Sequence, residues 1–319
     1  MGVPPMKKRT GTPRSKSPSL FDTWGREWFR VRDVIGPGYF SARVFSPGLA
    51  YVLVLGLYAG SGYAWATADV VIHWVNGDPL EANFGFPTVV GRLQAIVLSV
   101  VLWIVVKRLL VLPEPRDTRP ATVRRDAWLA GMAYWWVILV VLCAMEWVGE
   151  VIGYNPDFPQ PDNPTAEYVI GSFSSSAAAG FREEIFLLAV PVLLLRSAGQ
   201  RWRLIIPLLA VLRVSFHVYY GPACVVLLVW AALAVVMFRY TQSVWPLVLA
   251  HSLYDVTTDA ASLLGDGGLV KELVSVVAAI GFLTIFLLKK TSRDVEVPSL
   301  ASRDANASEQ GLLSGGDSA

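Results

Sequence analysis

The chain has 319 residues, of which 54% are hydrophobic and only 16% are charged, and its formal net charge is +2. Soluble domains carry about 25% charged residues, so this composition, with a mean hydropathy of +0.49, excludes an ordinary soluble domain. The small net charge says little about partners, because the charges are segregated by loop, and no nucleic-acid partner is expected. The composition predicts an all-α polytopic membrane protein.

The apolar segments indicate how many helices cross the membrane. A spanning helix needs about 20 mostly apolar residues, and about eight segments meet that requirement. They are 48–72, 89–112, 127–148, 166–195, 203–220, 222–239, 243–263 and 269–288. The fourth segment is too long for one simple span. Gly221-Pro222 forces a turn between the fifth and sixth segments, which predicts a tight antiparallel hairpin there.

Lys and Arg are concentrated in every second loop, and therefore on one side of the predicted membrane domain. The N-terminal tail and the loop after segment two are rich in them, whereas the first outer loop, HWVNGDPLEANFGFP, has none. The positive-inside rule then predicts cytoplasmic termini in a plasma (inner) membrane. The tails, 1–40 and 292–319, are polar and rich in Ser, Gly and Pro, so we expect them to be mobile. Residues 41–291 form the expected transmembrane domain.

Two adjacent acidic residues, Glu183 and Glu184, lie in the apolar run SSSAAAGFREEIFLLAVPVLLL. A charge at the centre of a membrane helix costs about 2.5–3.5 kcal/mol on insertion scales, and such residues usually face a polar cavity inside the bundle. The small residues that precede the pair predict close packing of this segment against a neighbouring helix.

Two further segments carry ionisable residues at helical spacing. Arg213 and His217 are four residues apart, as are His251 and Asp255, so each pair lies on one helix face. Two histidines and a carboxylate suit the activation of water by a general base. The same residue types could bind zinc. His217 falls late in segment five and His251 early in segment seven, so the sequence leaves their relative depth open.

Each part of this set also has a structural interpretation. The glutamates could be ion-pair partners of Arg182 and Arg213. His251 with Asp255 could be a satisfied pair that joins helices. Taken together, the clustering of both apolar-segment histidines and a Glu pair in three segments favours a functional site.

Three ordered motifs carry a family resemblance. They are Glu183-Glu184-Ile185-Phe186-Leu187-Leu188, Arg213-Val214-Ser215-Phe216-His217 and His251-Ser252-Leu253-Tyr254-Asp255. In order and spacing they resemble the EExxxR, FxxxH and HxxxN or HxxxD motifs of the CPBP intramembrane proteases, also called the Abi or CAAX-protease family. The resemblance covers about 166–263. Leu188 stands where the family has Arg and Arg213 where it has Phe, which suggests a compensating exchange of charge between two helices.

The resemblance implies a membrane-embedded hydrolase of the metallo- or glutamate type. It implies that Glu183 activates a water, which His217 and His251 position directly or through a metal, and that Asp255 orients an imidazole. The expected site residues are Glu183, Glu184, His217, His251 and Asp255, with Arg213 and Arg182 as charge partners. Zinc or another divalent metal could be held by Glu183, His217 and His251. The implied partners are the bilayer and a peptide or membrane-protein substrate, which could be lipid-modified.

Two alternatives from other classes remain open. A catalytically inactive scaffold or immunity-type protein on the same fold would tolerate loss of Glu183 or His217. A proton-coupled carrier could use the same Glu, His and Arg residues as a relay, but transporters often show inverted repeats. No repeat is evident, and the ionisable residues concentrate in the second half of the chain.

Overall fold

The computed structural model describes residues 45–76, 86–110, 121–154 and 164–263, with two isolated positions at 276 and 280. These residues form helices and turns, and no strand occurs among them. The α-helices of this part of the chain are α1 Pro47–Gly60, α2 Tyr63–Asn76, α3 Phe86–Leu110, α4 Ala121–Ile152, α5 Ala166–Arg182, α6 Val190–Ser197, α7 Trp202–Ser215, α8 Leu227–Thr241 and α9 Trp245–Leu263. A π-helical segment, Glu183–Ala189, joins α5 to α6, and a 3₁₀ segment, Val218–Val226, leads into α8.

The described helices make the chain an integral membrane protein. Three stretches are long and apolar enough to cross a bilayer: Val89–Leu110, Ala127–Ile152 and Val218–Thr241. A fourth is added if the bent pair α1 and α2 counts as one span. Apart from positions 276 and 280, the predicted span 269–288 lies outside the described residues, as do both predicted tails, 1–40 and 292–319.

The first predicted segment, 48–72, is broken rather than continuous. Helix α1 ends at Gly60 and α2 begins at Tyr63, with a bend of 57° between them. Gly62 has φ 89°, a left-handed conformation that glycine adopts without a steric penalty. The sequence Gly60-Ser61-Gly62 therefore divides this apolar stretch into two shorter helices.

The long fourth segment is one helical rod whose geometry changes along its length. Thr165 caps α5, accepting a hydrogen bond from the Tyr168 amide (3.2 Å). The wider π turns begin at Glu183, where the Glu pair lies, and α6 then runs to Ser197. Single-turn π insertions within α-helices occur frequently at functional sites.

The fifth predicted segment, 203–220, is shorter in the structure. Helix α7 has 14 residues and ends at Ser215, so at 1.5 Å per residue it is about 21 Å long and falls short of a bilayer core of about 30 Å. The chain then turns through the 3₁₀ segment, in which Gly221 has φ 72°. Helix α7, which precedes this turn, packs against helix α8, which follows it. His217 therefore lies in the turn and not inside a helix.

Helix α5 packs between α9 and α3, and its small residues allow the close approach to α9. A Cβ added at Gly180 would lie 2.6 Å from the Val248 carbonyl oxygen. The Ser252 hydroxyl donates to the Ala177 carbonyl (2.8 Å) across the same contact. Helix α4 covers the other side of α9, where Gly131 meets Pro246. These contacts hold the Glu pair of the π segment close to α9.

Candidate active site

A cavity of about 290 Å³ lies among the π segment, the 3₁₀ turn, α4, α5, α8 and α9. Glu183, His217, His251 and Asp255 all line it. Glu183 is 7% exposed. Its Oε2 atom lies 3.9 Å from His251 Nε2 and 3.4 Å from Arg213 Nη2. Residues from three separate predicted segments are thus brought to one polar cavity.

Glu184 does not line this cavity and is held behind it with no exposed surface. Its Oε1 atom accepts hydrogen bonds from the Tyr134 hydroxyl (2.7 Å) and from Arg213 Nη2, and it lies 2.9 Å from His251 Nδ1. Its Oε2 atom accepts from Arg213 Nη1 (3.2 Å). The carboxylate is therefore an anchoring point for the surrounding side chains.

Arg213 supplies the positive charge for both glutamates. It is 2% exposed, contacts Glu184 through both terminal nitrogens and reaches Glu183 through Nη2. Its guanidinium carbon lies 3.9 Å from the centre of the Trp230 ring, a cation–π distance. Leu188, at the position where the CPBP motif has arginine, is 1% exposed and lies in the hydrophobic core. The charge opposite the Glu pair therefore comes from α7.

His251 has a carboxylate near each ring nitrogen. Nδ1 lies 2.9 Å from Glu184 Oε1, and Nε2 lies 3.3 Å from Asp255 Oδ2. A carboxylate only accepts hydrogen bonds and a guanidinium only donates them. We therefore assign the Nδ1 proton to the bond with Glu184, although Nδ1 is also 3.2 Å from Arg213 Nη2. Nε2 then faces Glu183 and Asp255.

His217 is oriented by the end of α7. Its Nδ1 lies 2.8 Å from the Arg213 carbonyl oxygen, which can only accept, so Nδ1 carries the proton. The Nε2 atom is then the nitrogen with a free lone pair. Tyr219 and Tyr220 contact the ring of His217 and also line the cavity. Arg213 thus contributes to the site twice, through its side chain and through its backbone.

Trp230 and Tyr134 are among the residues of the site that sequence reasoning missed. The ring of Trp230 on α8 meets both histidine rings edge-on, at centroid distances of 5.6 Å to His217 and 5.3 Å to His251. Tyr134 on α4 stacks on Trp230 and donates to Glu184. A buried tyrosine hydroxyl usually has a polar partner, but many Trp and Tyr residues in this apolar sequence have no such role.

Arg182, the other predicted charge partner, points away from the glutamates. Its Nη2 donates to the Ser61 carbonyl (3.0 Å), and its guanidinium lies 5.1 Å from the Tyr63 ring centre.

A residue that had not been predicted, Asp259 on α9, lies in the cavity wall and accepts hydrogen bonds from Ser172 (2.6 Å) and Ser176 (2.5 Å). These hydrogen bonds join α9 to α5 at the wall of the cavity.

The residue types of the site suit zinc, which accepts imidazole nitrogen and carboxylate oxygen. The spacing does not. Within the described parts of the chain, no group of three or more His, Cys, Asp or Glu side chains could hold a metal ion. The described side chains therefore do not form a preorganised metal site.

Comparison with known protein families gave a match within the second half of the chain. Residues 165–257, which contain α5, the π segment, α6, α7, α8 and much of α9, match the model of a family described as type II CAAX prenyl endopeptidase Rce1-like. Over these residues the chain is similar to the CPBP (CAAX protease) family, which supports the resemblance carried by the three motifs. Neither the curated proteins nor the solved structures compared with it gave a match. The CAAX protease family consists of membrane proteases. Of the side chains described for the candidate active site, only Tyr134, Asp259 and the two contacts of Arg182, Ser61 and Tyr63, lie outside the matched residues.

Proposed function

We propose that the protein is an intramembrane endopeptidase of the CPBP type, which hydrolyses a peptide bond at membrane depth. The observation that carries this proposal is the shared cavity of Glu183, His217 and His251. A general base must lie within hydrogen-bond reach of the water that it activates. One water between Glu183 and the two Nε2 atoms would meet this requirement.

The proposed reaction begins with a water held between Glu183 and the histidines. Glu183 accepts a proton from this water, and the hydroxide attacks the peptide carbonyl carbon. The carbon–nitrogen bond then breaks, and the proton passes to the departing amine. General acid–base catalysis of this kind contributes about 10²–10⁴-fold to a rate.

The neighbouring carboxylates have positioning roles in this proposal. Glu184 accepts from His251 Nδ1 and thereby turns Nε2 toward the cavity. Asp255, one helical turn beyond His251, contacts the same Nε2. Its proposed role is to orient His251, because an ionised carboxylate is a poor donor to a developing oxyanion.

Arg213 is proposed to replace the arginine of the first family motif. Its contacts with both glutamates and the burial of Leu188 support the exchange. We expect Arg213→Phe to abolish activity and Leu188→Arg with Arg213→Phe to restore part of it. Activity of the double variant no higher than that of Arg213→Phe would contradict the exchange.

The metalloprotease form of the reaction would place a divalent ion in the same cavity. Zinc or another divalent metal would bind through Glu183, His217 and His251, and it would supply a Lewis acid that polarises the peptide carbonyl. Since the described side chains are not arranged to hold an ion, the proposed steps use side chains of the chain itself. Activity measured after dialysis against a chelator, with and without added Zn²⁺, tests the metal directly.

The proposed setting is the plasma (inner) membrane, with about eight spans and both termini in the cytoplasm. The proposed substrates are peptides or membrane proteins, including prenylated ones, because the family description names a prenyl endopeptidase. Polar side chains would meet the scissile bond, and lipid-facing helices would accommodate an attached lipid.

The first test is cleavage of a panel of farnesylated and unmodified peptides by the full chain in proteoliposomes. We expect Glu183→Gln to reduce the rate at least about 100-fold while the protein remains folded, because the base is lost. Glu150→Gln is the matched control, since Glu150 is an exposed glutamate on α4, and it should cleave like the parent chain. Equal activity of the Glu183→Gln and parent proteins would overturn the proposal and favour an inactive scaffold.

A further inference from the structure

A second cavity, of about 550 Å³, lies between the end of α1, the first half of α3 and the junction of α5 with the π segment. None of the described residues that line it also lines the candidate active site. Its wall is mostly apolar, with Leu57, Leu98 and Phe186 contributing large side chains. Ligand cavities typically measure about 300–1,000 Å³, so the space is large enough for a substantial ligand.

Two arginines, Arg92 and Arg182, line this apolar cavity, and none of the described residues that line it with them is acidic. The Nε atom of Arg92 is buried and has no hydrogen-bond partner among the described residues. Arg182 donates to a neutral acceptor, the Ser61 carbonyl. Two cationic groups in a low-dielectric wall are unfavourable unless an anion balances them. The cavity is therefore complementary in charge to an anionic ligand.

Glycines keep the cavity open. Gly56 and Gly91 lie inside helices, where glycine is destabilising by about 0.5–1 kcal/mol relative to alanine. A Cβ added at either position would meet nothing within 4 Å, so helix packing does not require glycine there. Both glycines line the cavity. The space that they leave is free for a ligand that lies along α1 and α3.

We propose that this cavity binds one anionic phospholipid of the surrounding bilayer. The phosphate lies between Arg92 and Arg182, where guanidinium groups can form bidentate hydrogen bonds to its oxygens. The acyl chain follows the apolar wall past Gly56 and Gly91. Because two positive charges face the cavity, an anionic lipid binds in preference to a zwitterionic one with the same chains.

The test is retention of phosphatidylglycerol by the full chain, measured by native mass spectrometry and by titration of labelled lipid in detergent. Phosphatidylcholine with the same chains is the reference lipid. A cationic side chain near a membrane surface contributes about 1 kcal/mol to binding of anionic lipid, so we expect Arg92→Gln to weaken affinity about fivefold. Arg108→Gln is the control, because Arg108 is exposed on the same helix and lies outside the cavity.

A second pair of variants tests the space rather than the charge. Gly91→Leu and Gly56→Leu should each remove the bound lipid, because the added side chain fills the cavity. Gly48→Leu should retain it, since Gly48 has equally open surroundings but does not line the cavity. Equal retention of the two lipids by the parent chain, or of phosphatidylglycerol by both cavity-filling variants, would overturn the proposal. Weaker peptide cleavage by these variants with unchanged lipid retention would instead assign the cavity to the substrate.

Discussion

Replacing Arg213 by methionine removes the positive charge that both glutamates share. Methionine keeps most of the apolar length of the side chain and so limits the change in packing. It leaves Glu184, which has no exposed surface, with the Tyr134 hydroxyl and His251 as its remaining side-chain partners. It also removes the cation over the Trp230 ring.

The expected cost can be worked from these contacts. Removing one partner of a buried ion pair costs about 3–5 kcal/mol, because the other charge stays buried. Loss of a desolvated cation–π contact adds up to about 2 kcal/mol. Since neighbouring effects are not additive, we expect the free energy of unfolding to fall by about 4–6 kcal/mol.

The assay is reversible unfolding in mixed detergent micelles, followed by tryptophan fluorescence. A double-mutant cycle with Glu184→Gln isolates the charge pair, because the amide removes the negative charge and keeps the shape. We expect the double variant to be more stable than the Arg213→Met single variant by about 1–3 kcal/mol, in the range of coupled neighbours.

The matched control is Arg203→Met, because Arg203 is exposed on the same helix, α7. Its unfolding free energy should change by no more than about 0.5 kcal/mol. A loss below about 1 kcal/mol for Arg213→Met, or no recovery on adding Glu184→Gln, would refute a buried charge pair at this site.

Two further substitutions test the support of the site by helix packing and hydrogen bonding. Tyr134→Phe should lower the free energy of unfolding by about 1–3 kcal/mol, because buried Glu184 loses a hydrogen-bond donor. Tyr51→Phe is the control and should cost less, because the hydrogen bond of Tyr51 is less buried. Equal losses of the two variants in chemical denaturation would contradict this prediction. Gly180→Ala should lower the free energy of unfolding by about 1–3 kcal/mol or more, because the added Cβ would collide with the α9 backbone. Gly48→Ala is the control and should be neutral or stabilising, because the surroundings of Gly48 are open. Thermal unfolding of the two glycine variants measures the difference, and similar midpoints would contradict the close contact of α5 with α9.

The site could be predicted from sequence to the extent that its residues carry charge. A carboxylate pair or a histidine in an apolar run is conspicuous. The spacing of four residues predicted Arg213 and His217 on one helix face, whereas His217 lies in the turn just beyond the end of α7. The suggested exchange of charge between Leu188 and Arg213 also predicted contact between Arg213 and the glutamates, which the structure contains. The catalytic roles of these residues stay a prediction.

The remaining features depend on geometry that hydropathy does not encode. An apolar window does not distinguish a helix from the 3₁₀ turn after Ser215, so the predicted segment five is too long and the depth of His217 could not be judged. The π turns at Glu183 leave no periodic signal in seven residues. Trp230 and Tyr134 resemble the many other aromatic residues of a membrane protein. Only their contacts reveal that they support the site.

The most direct test of a hydrolytic role for Glu183 works even when the substrate is unidentified. Membranes from cells that express equal amounts of the parent chain or of Glu183→Gln can be compared by quantitative mass spectrometry of protein and peptide termini. We expect new termini that depend on Glu183 and that are likewise lost in His251→Ala. Identical sets of termini in the parent and Glu183→Gln membranes would contradict a hydrolytic function.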